Sequence, residues 1–325
     1  VKFNSRFIVG GADSGWATTN AKSGGADGNV DVTLSNAYFG LTAIPNTVVN
    51  IGKMGLTTPY TVAVDQNGNE QNGTGILALT SIDAITLGAG YFNNQNFDKL
   101  TDMNGSMGLT SNADSFRSVT GPQTPAGLYP IGTIIVDEGI LDGGSDIYVA
   151  TIQGDLDFVK LESWYLGLQD SFNSYTLAAT GNVQLAEDAK IGLEARYVNL
   201  KLESELEKGL GLDSADNSMF RIATDGKFSI VNARVAFTKT GKDGGLTAVD
   251  QDAKNTSLGW NITSNGIADA NYWQAALGAD ILDNLNFTMH YGNLKADGSN
   301  KVTINHLLMG AAAGQDLKQE EIYGQ

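Results

Sequence analysis

Apolar and polar residues alternate with a period of two along much of this 325-residue chain. Around residue 193, for example, Ile191, Leu193 and Ala195 alternate with Glu194 and Arg196. This periodicity is typical of β-strands that have one apolar and one polar face. The alternating runs are about ten residues long, which is the length a tilted strand needs to cross a bilayer. The pattern therefore predicts an all-β protein, either a sandwich or a barrel.

The connections between the predicted strands alternate in length. Short turns are predicted at 44–47, 81–84, 153–155, 186–189 and 282–284, with one further short connection at 169–174. Long segments rich in Gly, Asp and Asn are predicted at 10–29, 54–74, 93–145, 203–218, 239–270 and from 295 onward. Short periplasmic turns at one rim and long extracellular loops at the other are typical of outer-membrane barrels. We therefore predict a single domain over 1–325, a transmembrane antiparallel up-and-down β-barrel with about fourteen visible strands.

Two local irregularities lead to specific predictions. The apolar residues change parity after Leu34, which predicts a β-bulge near 35–36. The Asp-Gly pair at 225–226 is a hairpin-turn signal. Because the alternation continues through it from 220 to 230, we predict a continuous strand there and a turn near 231–232.

Three features favour a membrane barrel over a soluble sandwich. Full charges recur on one strand face, where a water-filled lumen can hydrate them. The opposite face is apolar over the strand centres, where a lipid-facing Arg or Lys costs about 2–4 kcal/mol. Aromatic residues such as Trp164, Tyr175 and Tyr291 lie toward strand ends, as at a membrane interface. A secreted or surface-exposed β-sandwich, such as an adhesin-like structural protein, remains the alternative.

Composition excludes several other classes. The absence of cysteine excludes disulfides, thiolate zinc sites and a cysteine nucleophile. With 36 acidic and 20 basic residues, the net charge of −16 argues against nucleic-acid binding and favours cations in a pore. The acidic residues could equally serve only to keep surface loops soluble. No hydrolase, zinc-peptidase or phosphate-loop motif is present, so we predict no catalytic residues and no enzyme.

A pore needs a constriction, and the longest predicted loop, 93–145, is the candidate. Its charged residues include Asp98, Asp102 and Arg117. The candidate wall residues that would face it are Lys2, Arg6, Lys160, Glu162, Glu194, Arg196, Arg221 and Arg234. Opposed acidic and basic surfaces would filter solutes by charge. The alternative is that the acidic loop residues are simply solvated.

Several segments carry a family resemblance. They are Gly52-Lys53, NGTG at 72–75, SIDAITL at 81–87, IYVA at 147–150 through Trp164-Tyr165, and the acidic LESEL at 202–206. In pattern and order they resemble the major outer-membrane porin of the Campylobacter–Helicobacter branch, within the general bacterial porins.

The resemblance implies an eighteen-stranded barrel in the outer membrane of a Gram-negative bacterium. It implies a homotrimer in contact with membrane lipid and lipopolysaccharide, which passes small hydrophilic solutes and favours cations. Relative to that family, we expect strands to be missing at both ends, and we expect no signal peptide. No cofactor is required, although loop carboxylates suit Ca²⁺. By loose alignment to the family, Asp102 and either Glu320 or Glu321 would bind it, with Glu70 nearby.

Overall fold

The described part of the chain forms fourteen β-strands that follow one another in a single sheet. The computed structural model describes residues 1–9, 32–64, 70–97, 143–204, 207, 214–250, 252–258, 262–282, 284–297 and 316–325. The strands are β1 (Lys2–Val9), β2 (Val32–Leu41), β3 (Thr47–Gly55), β4 (Asn72–Ile82), β5 (Ile85–Gln95), β6 (Ile147–Leu156), β7 (Val159–Leu168), β8 (Phe172–Ala186), β9 (Ala189–Leu202), β10 (Asp216–Phe228), β11 (Val231–Thr240), β12 (Ala270–Leu282), β13 (Leu285–Ala296) and β14 (Leu317–Gly324).

The topology is an antiparallel meander, because every strand pairs with its neighbours in sequence order. Within the described residues, β1 pairs with β2 and β14 pairs with β13, but β1 and β14 do not pair with each other. The predicted fold class is confirmed: the fold is all-β and built as an up-and-down barrel wall, with the sheet not closed between its first and last strands. No helix in the described ranges is long and apolar enough to cross a membrane.

The predicted alternation of short and long connections is confirmed. Short turns join the strands at 42–46, 83–84, 157–158, 187–188 and 229–230, and β12 pairs with β13 from Leu282 and Leu285 onward. The connections at the other rim are longer except at 169–171. The turn predicted at 153–155 is wrong by a few residues. β6 continues to Leu156, and the chain reverses at Asp157, whose φ of 57° is one that Asp tolerates.

Both irregularities fall close to where the alternation predicts them. Arg6 pairs with Asn36 and Phe7 pairs with Leu34, so Ser35 is the extra residue of a bulge. β10 runs without interruption through 225–226, and the reversal follows at 229–230, two residues before the predicted position.

The two faces of the sheet differ sharply. Arg196 on β9 and Arg221 on β10 are on the inward face and are both only 2% exposed. Outward residues of the same and neighbouring strands are large, apolar and about half exposed, among them Leu177, Leu193, Ile222, Val235, Trp273, Leu277, Phe287 and Met289. In the described ranges no second sheet covers this outer surface, so the sandwich alternative is not favoured.

The inward face is not polar throughout, although the charges that recur on it predict a water-filled lumen. On β4 to β7 it carries a cluster of apolar side chains, including Phe92, Ile147 and Leu166. Trp164 packs against this cluster, so its predicted place at the membrane interface is wrong. Leu56 and Tyr60, from the connection between β3 and β4, belong to the same buried cluster. This part of the interior is therefore filled by an apolar core, because a loop packs against the wall there.

Candidate pore lumen and its constriction

The strand register places the charged inward residues in adjacent rows. Arg196 and Arg221 are direct cross-strand partners, and one row further Glu194 is opposite Ala223. Like charges in directly opposed positions destabilise a sheet unless a counter-charge is present. The two buried arginines therefore need an acidic partner close to both.

Glu194 is that partner. Its Oε1 accepts hydrogen bonds from Arg196 Nε at 3.3 Å and Arg221 Nε at 3.1 Å, and it also contacts Arg221 Nη2. Glu162 adds a second carboxylate, with its Oε1 4.0 Å from Arg196 Nη2. Its Oε2 accepts the indole N–H of Trp164 at 3.2 Å. The result is a charge-paired cluster across β7, β9 and β10.

The connection between β11 and β12 folds over this cluster. We call residues 241–250, 252–258 and 262–269 the inner segment; most of its side chains are buried. Asn255 Oδ1 accepts a hydrogen bond from Arg196 Nη1 at 3.2 Å, and the carbonyl of Thr256 accepts one from Arg221 Nη1. The wall arginines thus hold the inner segment as well as the wall carboxylates.

The connection between β3 and β4 also folds inside the sheet, where it contacts the inner segment. Tyr60, between β3 and β4, accepts a hydrogen bond from Thr176 Oγ1 on β8 at 2.8 Å, and Asn255 Nδ2 donates to the same Thr176 oxygen at 2.7 Å. Gln71 Nε2 donates to Asp250 Oδ2 at 2.8 Å. Burial raises the pKa of Tyr60 to about 12, so its hydroxyl keeps its proton at physiological pH.

These contacts show that the sheet curves around its contents. Six strands separate β4 from β11 in the strand order, yet the connections that adjoin these two strands hydrogen-bond to each other. Both also contact β8, which lies between them. A flat sheet could not bring the three together, so the wall wraps around the two connections as a barrel wall does.

A polar cavity of about 630 Å³ remains between the inner segment and the wall of β7 to β14. A second cavity of about 430 Å³ lies next to it and reaches Lys190 and Lys227 near the short turns. The two share Arg234, Ala276 and His290 in their linings. We call them together the conduit; it runs along the inner wall toward the rim of short turns.

Ion pairs continue along the conduit. Arg234 Nε pairs with Asp225 on the neighbouring strand. Lys227 Nζ on β10 lies 3.1 Å from Asp280 Oδ2 on β12, across the intervening β11. His290 stacks on Tyr323 with ring centroids 4.3 Å apart, and both residues line the larger cavity.

The structure brings most of the predicted wall residues together. Six of them line the conduit: Lys160, Glu162, Glu194, Arg196, Arg221 and Arg234. Lys2 and Arg6 share one face of β1 with each other, and Arg6 forms an ion pair with Glu70. Asp98, Asp102 and Arg117 lie outside the described residues, as does most of the predicted constricting loop 93–145, so their role stays a prediction.

The predicted calcium site stays a prediction, because Asp102 lies outside the described residues. Glu70 is buried beside Arg6, whereas Glu320 lies on the exposed face of β14 and accepts a hydrogen bond from Asn293 Nδ2 at 2.7 Å. Glu321 lies on the inward face, where Tyr272 donates to it at 2.5 Å. The part of the chain that the structure describes contains no group of three His, Asp or Glu side chains suited to a metal.

Sequence reasoning missed the inner segment, which it treated only as a long extracellular loop. A signal was present, however. The run GGLTAV at 244–249 and the run NTS at 255–257 contain no charged residue. Exposed loops usually carry charge, so uncharged stretches within an acidic chain indicate burial.

The fold and the two-faced wall are those of the outer-membrane class of antiparallel β-barrels. No known family matches the sequence, and no curated protein matches it either. Solved structures do match. The outer membrane protein OprD from Pseudomonas aeruginosa is 16% identical with a TM-score of 0.64, over 90% of this chain and 66% of that one.

Two further neighbours are similar. OccAB3 from Acinetobacter baumannii is 11% identical with a TM-score of 0.64, over 92% of this chain and 68% of that one. The outer membrane protein opdK from Pseudomonas aeruginosa is 13% identical with a TM-score of 0.60, over 88% of this chain and 68% of that one. The chain thus spans about two thirds of their length. The likeness establishes the fold and supports the predicted location in the bacterial outer membrane.

Proposed function

We propose that this chain forms the wall of an outer-membrane porin, a passive channel for small hydrophilic solutes. One observation carries the proposal: a charged, cavity-containing inner face lies directly behind an apolar outer face. Soluble monomers rarely expose contiguous apolar patches above a few hundred Å². Here such residues recur on the outward face of strand after strand, as a lipid-facing surface requires.

The conduit is the proposed path. Its side chains are paired, because the buried arginines are held by Glu194 and Glu162 and by the inner segment. Paired charges keep a fixed geometry and still present polar atoms to water. The inner segment, and not only the predicted loop 93–145, then sets the narrowest part of the path.

The proposed selectivity is a modest preference for cations. The net charge of the whole protein, −16, attracts cations and repels anions. The wall of the larger cavity is close to neutral by comparison, since its lining carries five basic side chains and four acidic ones. They are Lys160, Arg196, Arg221, Arg234 and Lys254, against Glu162, Glu194, Asp252 and Glu321. A strong preference would therefore have to arise elsewhere in the pore.

Three finer expectations remain proposals from the sequence. They are kinship with the Campylobacter–Helicobacter porins, assembly as a homotrimer within lipid and lipopolysaccharide, and a Ca²⁺ site that includes Asp102. Transport without catalysis is part of the same proposal, and the likeness to the outer membrane proteins OprD and opdK supports it.

Planar-bilayer recording tests the proposed function. The purified protein should insert and give stepwise currents in KCl, and a salt gradient should give a reversal potential of the sign expected for weak cation preference. Protein heated until it unfolds is the matched control. Folded protein that enters bilayers without any current contradicts the channel function, while a strong anion preference contradicts only the selectivity.

A further inference from the structure

A third cavity inside the sheet differs chemically from the two that form the conduit. It has a volume of about 320 Å³ and lies against the inward face of β4 to β7, next to the connection that follows β3. Its apolar lining includes Leu77, Leu79, Phe92, Val149 and Trp164. We call it the apolar pocket.

No charged side chain is among the described residues that line the apolar pocket; the polar ones are threonines and Gln153. The nearest carboxylate along β7 is Glu162, which lines the conduit instead. Glu162 also accepts the indole N–H of Trp164 at 3.2 Å. With that N–H satisfied, Trp164 offers the pocket an aromatic hydrocarbon surface.

The bare backbone at Gly88 shapes the floor of this pocket. Gly88 pairs with Leu79 on one side and Thr151 on the other. A Cβ at this position would lie 2.8 Å from Leu79 Cδ2 and 2.7 Å from Thr151 Cγ2. Glycine therefore lets these two side chains converge over the strand, and any larger residue would push them into the cavity.

From this geometry we propose that the apolar pocket binds an uncharged aromatic solute of one or two rings. Apolar cavities of about 150 Å³ stay dry and bind benzene, and ligand pockets begin near 300 Å³, so the volume fits. An ionised ligand is disfavoured because it would lose its hydration without gaining a counter-charge. The threonine hydroxyls and Gln153 can hydrogen-bond one hydroxyl group on the ring.

Trp164 provides a direct readout. The probe is 4-bromobenzyl alcohol, which is uncharged, has one ring and quenches tryptophan fluorescence through its bromine. Added to the folded protein in detergent, it should quench saturably, and Trp164→Phe should lose that saturable component. Quenching of the outward-facing Trp273 by probe dissolved in the micelle would rise without saturating. Unbrominated benzyl alcohol should compete.

Two charge variants test where the ring binds. Leu79→Asp places a carboxylate in the lining and should weaken binding about tenfold or more. The side chain of Leu79 is 37% exposed, so the new charge can be hydrated and folding should survive; Thr86→Asp tests the same lining independently. Thr180→Asp adds the same charge to the conduit and should leave binding unchanged.

The proposal is overturned by any of three results: no saturable quenching, saturable quenching that persists in Trp164→Phe, or equal affinity in both lining variants and the unaltered protein. Equal affinity for ionised 4-bromobenzoate would contradict the stated ligand class. Because binding is read without current, a protein that binds the probe but does not conduct would contradict the proposed channel and leave this site standing.

Discussion

Glutamine in place of Glu194 removes the carboxylate that contacts both buried arginines. Arg196 and Arg221 are direct cross-strand partners and each is only 2% exposed. Breaking a buried ion pair typically costs 3–5 kcal/mol. Glu194 is itself 23% exposed, and Asn255, Thr256 and Glu162 still accept from the arginines. We therefore expect Glu194→Gln to destabilise the fold by about 2–4 kcal/mol.

The same substitution changes the charge of the conduit by one unit. At about 8 Å from a passing ion in water, one charge is worth about 0.5 kcal/mol, with opposite signs for cations and anions. After screening by salt, the ratio of cation to anion permeability should fall about twofold to fivefold. The reversal potential in a KCl gradient measures this ratio, and resistance of the folded form to urea measures stability.

Glu187→Gln is the matched control, because it removes an equal charge from a short turn outside the conduit. It should change neither quantity measurably. If Glu194→Gln keeps both the stability and the reversal potential of the unaltered protein, the charge-paired cluster does not line the path of ions and the reasoning is refuted.

Three further predictions concern the outer face, the inner segment and the short-turn rim. Leu277→Arg on the outer face should cost about 2–4 kcal/mol of folding free energy in urea titrations in lipid, whereas Thr288→Arg on the inner face should be tolerated. Asn255→Ala should loosen the inner segment and raise single-channel conductance; unchanged conductance would place the constriction elsewhere. Lys227→Gln breaks an exposed pair with Asp280 and should change stability by no more than about 1 kcal/mol in the same titration; a larger loss would show that this pair is not solvated.

Much of the wall could be predicted from the sequence because its rules are local. A strand facing two solvents must alternate, so the parity change after Leu34 already indicated the extra residue at Ser35. In the same way, the continuous alternation outweighed the turn signal at 225–226. A turn there would have placed the following apolar residues on the water-facing side of the sheet.

The interior could not be predicted in the same way because it depends on contacts between distant segments. Tyr60 and Asn255 meet at Thr176 although 116 and 79 residues separate them from it. No periodicity marks such a meeting. The apolar interior of β4 to β7 was missed for the same reason. Leu77 and Phe92 lie on the strand face that was expected to line a lumen, and only the loop packed near them shows that this side is a core.

The central claim is that neighbouring residues on one strand face different solvents. The chain contains no cysteine, so single-cysteine variants test it directly. Ala275 and Ala276 are adjacent on β12; Ala275 pairs with Val235 on the outer face, and Ala276 pairs with Arg234 on the inner face. In lipid vesicles, a charged, water-soluble thiol reagent should label Ala276→Cys and reduce its conductance, while Ala275→Cys should react only with a lipid-soluble maleimide. Equal labelling of both cysteines by the charged reagent would contradict the account.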